Sequence, residues 1–358
     1  MKIIDVRAVQ PVAPNSPPDW RTSLGQFLVV IDTDDGLTGY GVGGGGLASV
    51  HIVRTELRKL LLGRDAESID DLWRAMYEAT LPYGRMGVAI MAISAVDLAL
   101  WDLRGKRAGK LVVELLGGKP DRSLPTYVTV GLLGDDLPSA LAKGHRAFKL
   151  FVGGDASPQR AANAIERIRE ARNMVGDETP LMIDAWMKWD LETTLAVAEK
   201  AAEYGVGWLE DPLPPGDLAG YEALREKSPV PIAGGEHDFT AGTFAELIER
   251  RIFSVLQPDV CWAGGLTTLI EIYKLAARAG VRVCPHRGSE IWSLHAIAAL
   301  DPEPLAESGR PWMDWVGGQP PIVDGRIRLP SSGAGLGVEI DEEGLVDQWG
   351  QESSAAFQ

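Results

Sequence analysis

The sequence predicts an α/β protein: a (β/α)8-type barrel with an N-terminal α+β capping domain that the C-terminal segment completes. Three observations predict it. From residue 124 onward, eight short apolar runs alternate with amphipathic stretches of roughly fifteen residues, the texture of repeated βα units. The first 120 residues instead open on a strand hairpin and continue as helices, and turn-rich strand patterns return after about Pro320. A length of 358 residues suits such a barrel with an appendage.

In the capping domain, 1–120, the segments 2–12 and 27–31 alternate like strands, and Asp34-Asp35-Gly36 turns the chain back through 37–42. Helices are expected at 50–62, 69–80 and 88–103, where apolar residues recur at three and four. Gly117-Gly118 and Pro120 end this part. In the barrel, 121–320, the eight runs are 127–130, 147–152, 181–184, 207–210, 231–233, 254–257, 281–285 and 305–307. Helices at 161–175 and 194–204 lie between them, the second stopped by Gly205. Periodicity does not report closure, so an open doubly wound sheet is the alternative. The last segment, 321–358, carries strand patterns at 325–329 and 335–340 and is expected to pack back on the cap.

Composition removes several functions. Apolar residues make up 45% of the chain and charged residues 24%, which excludes disordered and coiled-coil classes. A net charge of −15 repels phosphate backbones and anionic membranes, so no nucleic acid or membrane partner is expected. Residues 1–10 lack an apolar signal core, and Ser94 and Asp97 interrupt the most apolar later run, 88–101; a cytoplasmic protein is expected. Cys261 and Cys284 read as reduced, buried thiols. The glycines of 39–44 match a dinucleotide fingerprint, but the strand before them returns from a hairpin and does not open a βαβ unit; a mobile loop is expected there. Eleven tryptophans are scattered, with no stacking platform for single-stranded nucleic acid.

The chemistry lies at the ends of the apolar runs. Asp184, Glu210 and Glu236 each close or just follow a run and are spaced by 26 residues, one βα unit apart. Successive strands would aim these carboxylates at one barrel mouth, the face where barrel active sites lie. Converging carboxylates raise one another's proton affinity unless a hard divalent cation neutralises them, and magnesium fits best. The series continues with Asp259 and His286, again at successive run ends. An aspartate that takes the proton of one ring nitrogen prepares the other nitrogen as a general base. Alone, His286 reads first as a satisfied rim histidine; the neighbouring acids reverse that preference in favour of the base. Lys149 interrupts an apolar run, either aimed into the mouth toward a substrate carboxylate or enolate oxygen, or snorkelling outward. His237 beside Glu236 has a substrate contact or a supporting role open to it, and His295 falls on a helix with a core or surface role.

Several segments together resemble the mandelate racemase-like group of the enolase superfamily over nearly the whole chain. They are Tyr83-Gly84-Arg85, the run from Ser94 to Asp102, Asp184-Ala185-Trp186-Met187, Trp208-Leu209-Glu210-Asp211-Pro212, Gly235-Glu236-His237 and Gln257-Pro258-Asp259-Val260. The resemblance implies that Asp184, Glu210 and Glu236 bind magnesium, that Asp259 and His286 form a base dyad, and that Glu307 stabilises the transition state. Many members carry Lys-x-Lys on the second barrel strand, where this chain has Lys149-Leu150-Phe151. With the second lysine replaced by Phe151, one base remains, which argues against racemisation and for elimination. Within the group the similarity is closest to the L-rhamnonate dehydratase branch. That implies an acid-sugar substrate of the aldonate type, a 2-keto-3-deoxy acid product, a homo-oligomer, and Arg21 as a substrate-binding residue, with His237, Lys149 and Glu307 also at the substrate. The 14–24 loop is short for that branch, and Arg287 follows the base where a small residue is usual. A one-base epimerase or cycloisomerase, or a non-catalytic sugar-acid-binding barrel, are the alternative functions.

Overall fold

A computed structural model describes residues 1–11, 20–132 and 136–342. Strands β1 (Ile3–Val9), β2 (Phe27–Thr33) and β3 (Thr38–Gly43) form an antiparallel sheet in that order, with the turn after β2 where Asp34-Asp35-Gly36 stands. Gly36 takes φ 83°, a left-handed angle that glycine adopts without strain. The helix Val88–Ala108 lies across β3, and three of the glycines expected to form a loop, Gly39, Gly41 and Gly43, are strand residues on the face it covers. A Cβ on Gly39, Gly41 or Gly43 would come within 2.3, 2.0 and 2.4 Å of the carbonyl oxygens of Ala99, Ala95 and Met91. Their spacing of two serves close packing of helix on sheet, and the expectation of a loop is corrected on that ground.

Eight parallel strands follow, one in each expected run: β4 (Leu124–Val130), β5 (Phe148–Phe151), β6 (Leu181–Asp184), β7 (Leu209–Glu210), β8 (Ile232–Gly234), β9 (Val255–Leu256), β10 (Arg282–Val283) and β11 (Ala306–Glu307). Their order is β10-β9-β8-β7-β6-β5-β4-β11, so the sheet curls until its first and last members approach. Across that seam Ser289 N donates to Glu307 O at 2.8 Å and Cys284 Sγ to Leu305 O at 3.2 Å. Tyr127, Ala147, Met182, Trp208, Ala233, Val255, Cys284 and Leu305, one from each strand or its flank, bury one another in a single interior cluster. That layer is what a closed barrel requires and an open sheet cannot supply.

The helices between strands begin where side chains take up orphan amides. Asp190 accepts from Thr193 N at 2.7 Å ahead of Leu191–Glu203, and Ser157 accepts from Arg160 N at 3.3 Å ahead of Pro158–Val175. Beyond β11 the strand β12 (Arg326–Ile327) pairs antiparallel with β4, on the barrel rather than the cap. The chain then reaches the cap: Leu336 N donates to Asp102 Oδ1 at 2.8 Å, and Glu342 meets Arg7 at 2.5 Å and Tyr40 at 2.8 Å. Among the described residues no helix is long and apolar enough to cross a membrane, and both cysteines are free and buried.

Candidate active site

The strand ends assemble one mouth. Asp184, Glu210 and Glu307 are the last residues of β6, β7 and β11, and Glu236, Asp259 and His286 lie two or three residues past β8, β9 and β10. Each is buried, as is Lys149 on β5. Four non-glycine residues turn the backbone left-handed at this rim: Trp186 (φ 49°), Met187 (60°), Asp211 (40°) and Arg287 (53°). Such strain gathers where surrounding structure holds a site in shape.

The predicted acids fall into two groups. Asp184, Glu210 and Glu307 converge on Lys149, whose Nζ bonds Glu210 Oε1 and lies 3.0 Å from Glu307 Oε1 and 3.8 Å from Asp184 Oδ2. The lysine therefore points into the mouth. Gln257 Nε2 and Trp208 Nε1 also donate to Glu210, at 2.5 and 3.2 Å, and Thr129 Oγ1 and Arg287 N donate to Glu307, at 2.6 and 2.9 Å. Glu236 instead faces two histidines, with Oε2 3.1 Å from His286 Nε2 and Oε1 3.0 Å from His237 Nε2. His237 turns that nitrogen to Glu236 and to Asp211, 3.7 Å away. His295 lies outside this mouth, within the helix Ile291–Leu300.

The charges explain the proton affinities. Burial, with Glu210 and Glu236 nearby, pushes the Asp184 carboxyl up to about 7 even though Lys149 opposes it. Burial opposes the charge on Lys149, yet Glu210, Glu307 and Asp184 hold its ammonium well above the ordinary lysine value. Burial would raise Glu307, but Lys149 and Arg287 bring it down. An oxygen-rich set of buried acids, in which burial and neighbouring carboxylates raise the proton affinity of Asp184, fits a hard divalent cation. Asp184, Glu210 and Glu236 could hold it, and Asp211, Glu236 and His237 bring ligand atoms within 4.8 Å of one another beside them.

His286 Nδ1 meets Asp259 Oδ2 at 2.9 Å, leaving Nε2 toward the mouth. Burial lowers the imidazole's proton affinity, but Glu236 and Asp259 outweigh it and the net shift is upward. Sequence reasoning missed Arg310, which bonds the same Asp259 oxygen, and Glu290, which holds Arg310 at 2.5 Å. The available signal was position: Arg310 stands three residues past the last strand-end acid and Glu290 four past the base. A pocket over the mouth is lined by Lys149, Asp184, Glu236, His286 and Glu307, with Trp20, Phe151, Trp186, Trp262 and Trp312 as its apolar walls. Trp20 of the cap stacks on Trp186 with ring centres 6.4 Å apart. Arg21 lines this pocket from the helix Trp20–Ser23. Of the 14–24 loop, residues 14–19 lie outside the described residues.

A capped barrel with acids and a His–Asp pair at its carboxyl-terminal mouth defines a class, the enolase superfamily of enzymes. The chain belongs to its mandelate racemase / muconate lactonizing enzyme family: residues 3–117 match that family's N-terminal domain and residues 134–344 the enolase C-terminal domain-like family. An L-rhamnonate dehydratase from Saccharopolyspora erythraea is 36% identical over 95% of this chain and 91% of the relative. Among solved structures, a racemase from Streptomyces coelicolor A3(2) with bound magnesium is 32% identical with a TM-score of 0.85, covering 96% of this chain and 98% of that one. The 3,6-anhydro-D-galactonate cycloisomerase from Zobellia galactanivorans is 30% identical with the same score and coverage.

Proposed function

We propose that the protein is a magnesium-dependent dehydratase of an acid sugar, an aldonate resembling rhamnonate. It removes the C2 proton and eliminates the C3 hydroxyl to give a 2-keto-3-deoxy acid. The observation that carries this reading is one His–Asp pair as the base among the described residues of the pocket, where Lys149 is held as an ammonium by its acids. His286 has Nδ1 engaged by Asp259 at 2.9 Å and turns Nε2 into the pocket, 3.1 Å from Glu236 Oε2, whereas Phe151, two residues past Lys149 on β5, cannot carry a proton. Racemisation needs bases on two faces; elimination needs one. The dehydratase relative from Saccharopolyspora erythraea supports the same choice.

In this reading Asp184, Glu210 and Glu236 hold the cation, which when bound supplies positive charge to the substrate carboxylate, the established pattern of enolase-superfamily sites with a His or Lys base. Asp259 fixes the Nδ1 proton of His286, so Nε2 accepts the proton from C2. Lys149 lies beside Glu307 and donates toward the oxygen on which charge develops. Protonated His286 then returns its proton to the departing C3 hydroxyl, water leaves, and the resulting enol tautomerises to the keto acid. Arg21 contacts the distal hydroxyls from the cap, and His237 reaches the substrate end of the site through Glu236.

The test is keto-acid formation across a panel of aldonates, aldarates and anhydro acids, with and without magnesium. Dehydration that depends on magnesium, with loss of both turnover and C2 hydrogen exchange in His286→Asn, is the expected result. Exchange that persists in that variant overturns the assignment of the base. The cycloisomerase relative favours a second one-base reaction, and isomerisation of an anhydro acid without water loss would select it.

A further inference from the structure

One buried cation at the mouth has no part in the reaction above. Arg310 is 3% exposed in its side chain, and its Nη2 donates to Asp259 Oδ2, the oxygen that also meets His286 Nδ1 at 2.9 Å. Its Nη1 reaches Glu290 Oε2 at 2.5 Å, and its backbone N–H donates to Glu290 Oε1 at 2.8 Å, so both oxygens of that buried acid are taken by one residue. The guanidinium lies 5.7 Å from the centre of the Trp262 ring, which in turn stands 6.0 Å from the His286 imidazole.

The terminal torsion of an aspartate is broad and roughly two-fold, so a carboxylate bonded only to a histidine has rotational freedom that the imidazole shares. Asp259 has none to spare: Cys261 N–H holds Oδ1 at 2.8 Å and Arg310 holds Oδ2. We propose that Arg310 is a positioning residue for proton transfer: anchored by Glu290, it locks the Asp259 carboxylate and thereby keeps His286 with Nδ1 inward and Nε2 toward the substrate. The inference rests on His286 being the base. A planar guanidinium suits the task because two fixed nitrogens bridge two acids at once, which a lysine ammonium does only as a point charge. The opposing view, an ion pair that merely fills the loop after β11, makes a different prediction for variants that already lack the Asp259 charge.

The experiment is a double-mutant cycle on the full-length, magnesium-loaded enzyme, with its best acid sugar from the panel as substrate. Arg310→Met is expected to lower kcat on the order of 10- to 100-fold with KM nearly unchanged, and Arg310→Lys to recover part of that loss. In an Asp259→Asn background, Arg310→Met should cost less than about 3-fold further, because the group it grips is gone. Equal losses in both backgrounds, or an Arg310→Met enzyme with parental kcat, overturn the proposal. If Arg310→Met does not fold, Glu290→Gln, which loosens only the anchor, carries the same cycle. A second readout needs no turnover: ring-nitrogen NMR of 15N-histidine-labelled protein, at a pH where the imidazole is neutral. His286 is expected as the Nδ1–H tautomer in the parent and as a tautomer mixture in Arg310→Met; an unchanged tautomer counts against the proposal. A parent that dehydrates nothing while the tautomer still depends on Arg310 would overturn the proposed function and leave the positioning role standing.

Discussion

Lys149 occupies the point where the fold gathers most negative charge. Its stem is buried and its ammonium touches Glu210 and Glu307, with Asp184 at 3.8 Å, so removing it leaves three buried acids with their principal cation gone. Breaking a buried pair from one side costs about 3–5 kcal/mol. Lys149→Met is therefore expected to lower the thermal midpoint of the metal-free protein markedly and to reduce kcat by two orders of magnitude or more, as calorimetry and keto-acid assays would report. A variant with parental stability would mean that the acids are protonated and need no lysine. Glu210→Gln probes the proposed cation site from the other side. A ligand that binds only the folded state raises stability by mass action, so millimolar magnesium should raise the midpoint of the parent and leave that of Glu210→Gln unmoved. A shift of equal size in both would remove Glu210 from the cation site.

At the scale of elements, the join between β3 and the helix Val88–Ala108 rests on absent side chains. Gly41→Ala would drive a methyl to 2.0 Å from Ala95 O, and a backbone carbonyl inside a helix cannot move aside cheaply. Overpacking of this kind costs about 1–3 kcal/mol or more, so the variant should unfold at lower urea concentration than the parent. Gly216→Ala, with nothing within 4 Å of the added atom, is the control and should be neutral. An equal midpoint for Gly41→Ala would mean that helix and sheet separate easily. The same join marks the limit of what the sequence discloses. Run ends were legible because β6, β7 and β11 stop at an acid and β8, β9 and β10 are followed within three residues by an acid or a histidine, which places Asp184, Glu210 and His286 without any knowledge of contacts. Gly39, Gly41 and Gly43 were misread because a glycine that admits a helix and a glycine that frees a loop look alike until the partner is known. Arg310 was missed for a related reason: its place three residues past Glu307 marks the mouth, but its bond to Asp259 spans 51 residues of chain and nothing local to either residue announces that contact.

At the scale of the molecule, His295 joins three parts of the chain and makes that junction sensitive to acid. It sits on the barrel helix Ile291–Leu300, its Nδ1 accepts from Val113 N of the cap at 3.0 Å, and its Nε2 donates to Leu336 O of the returning C-terminal segment at 3.0 Å. Both nitrogens are used by the neutral ring, and burial pushes its pKa down to about 4. An unfolded histidine titrates near 6.5, so between those values the unfolded chain binds a proton that the fold does not. Stability from this residue is therefore untouched above about pH 6.5 and falls as pH drops through the window, by an amount approaching about 3 kcal/mol. The buried Asp97 acts with the opposite sign, because its carboxyl is raised to about 7 by burial against its bonds to Thr267 and is protonated in the fold first. The histidine is isolated by comparison with His295→Gln, whose amide cannot titrate. At about pH 7.5 the variant should be less stable than the parent, since one side-chain amide cannot reproduce both bonds, and toward about pH 5 the gap measured by urea unfolding should close. A gap that stays constant across that range would show that the junction tolerates a charged ring, and that acid opens the molecule somewhere else.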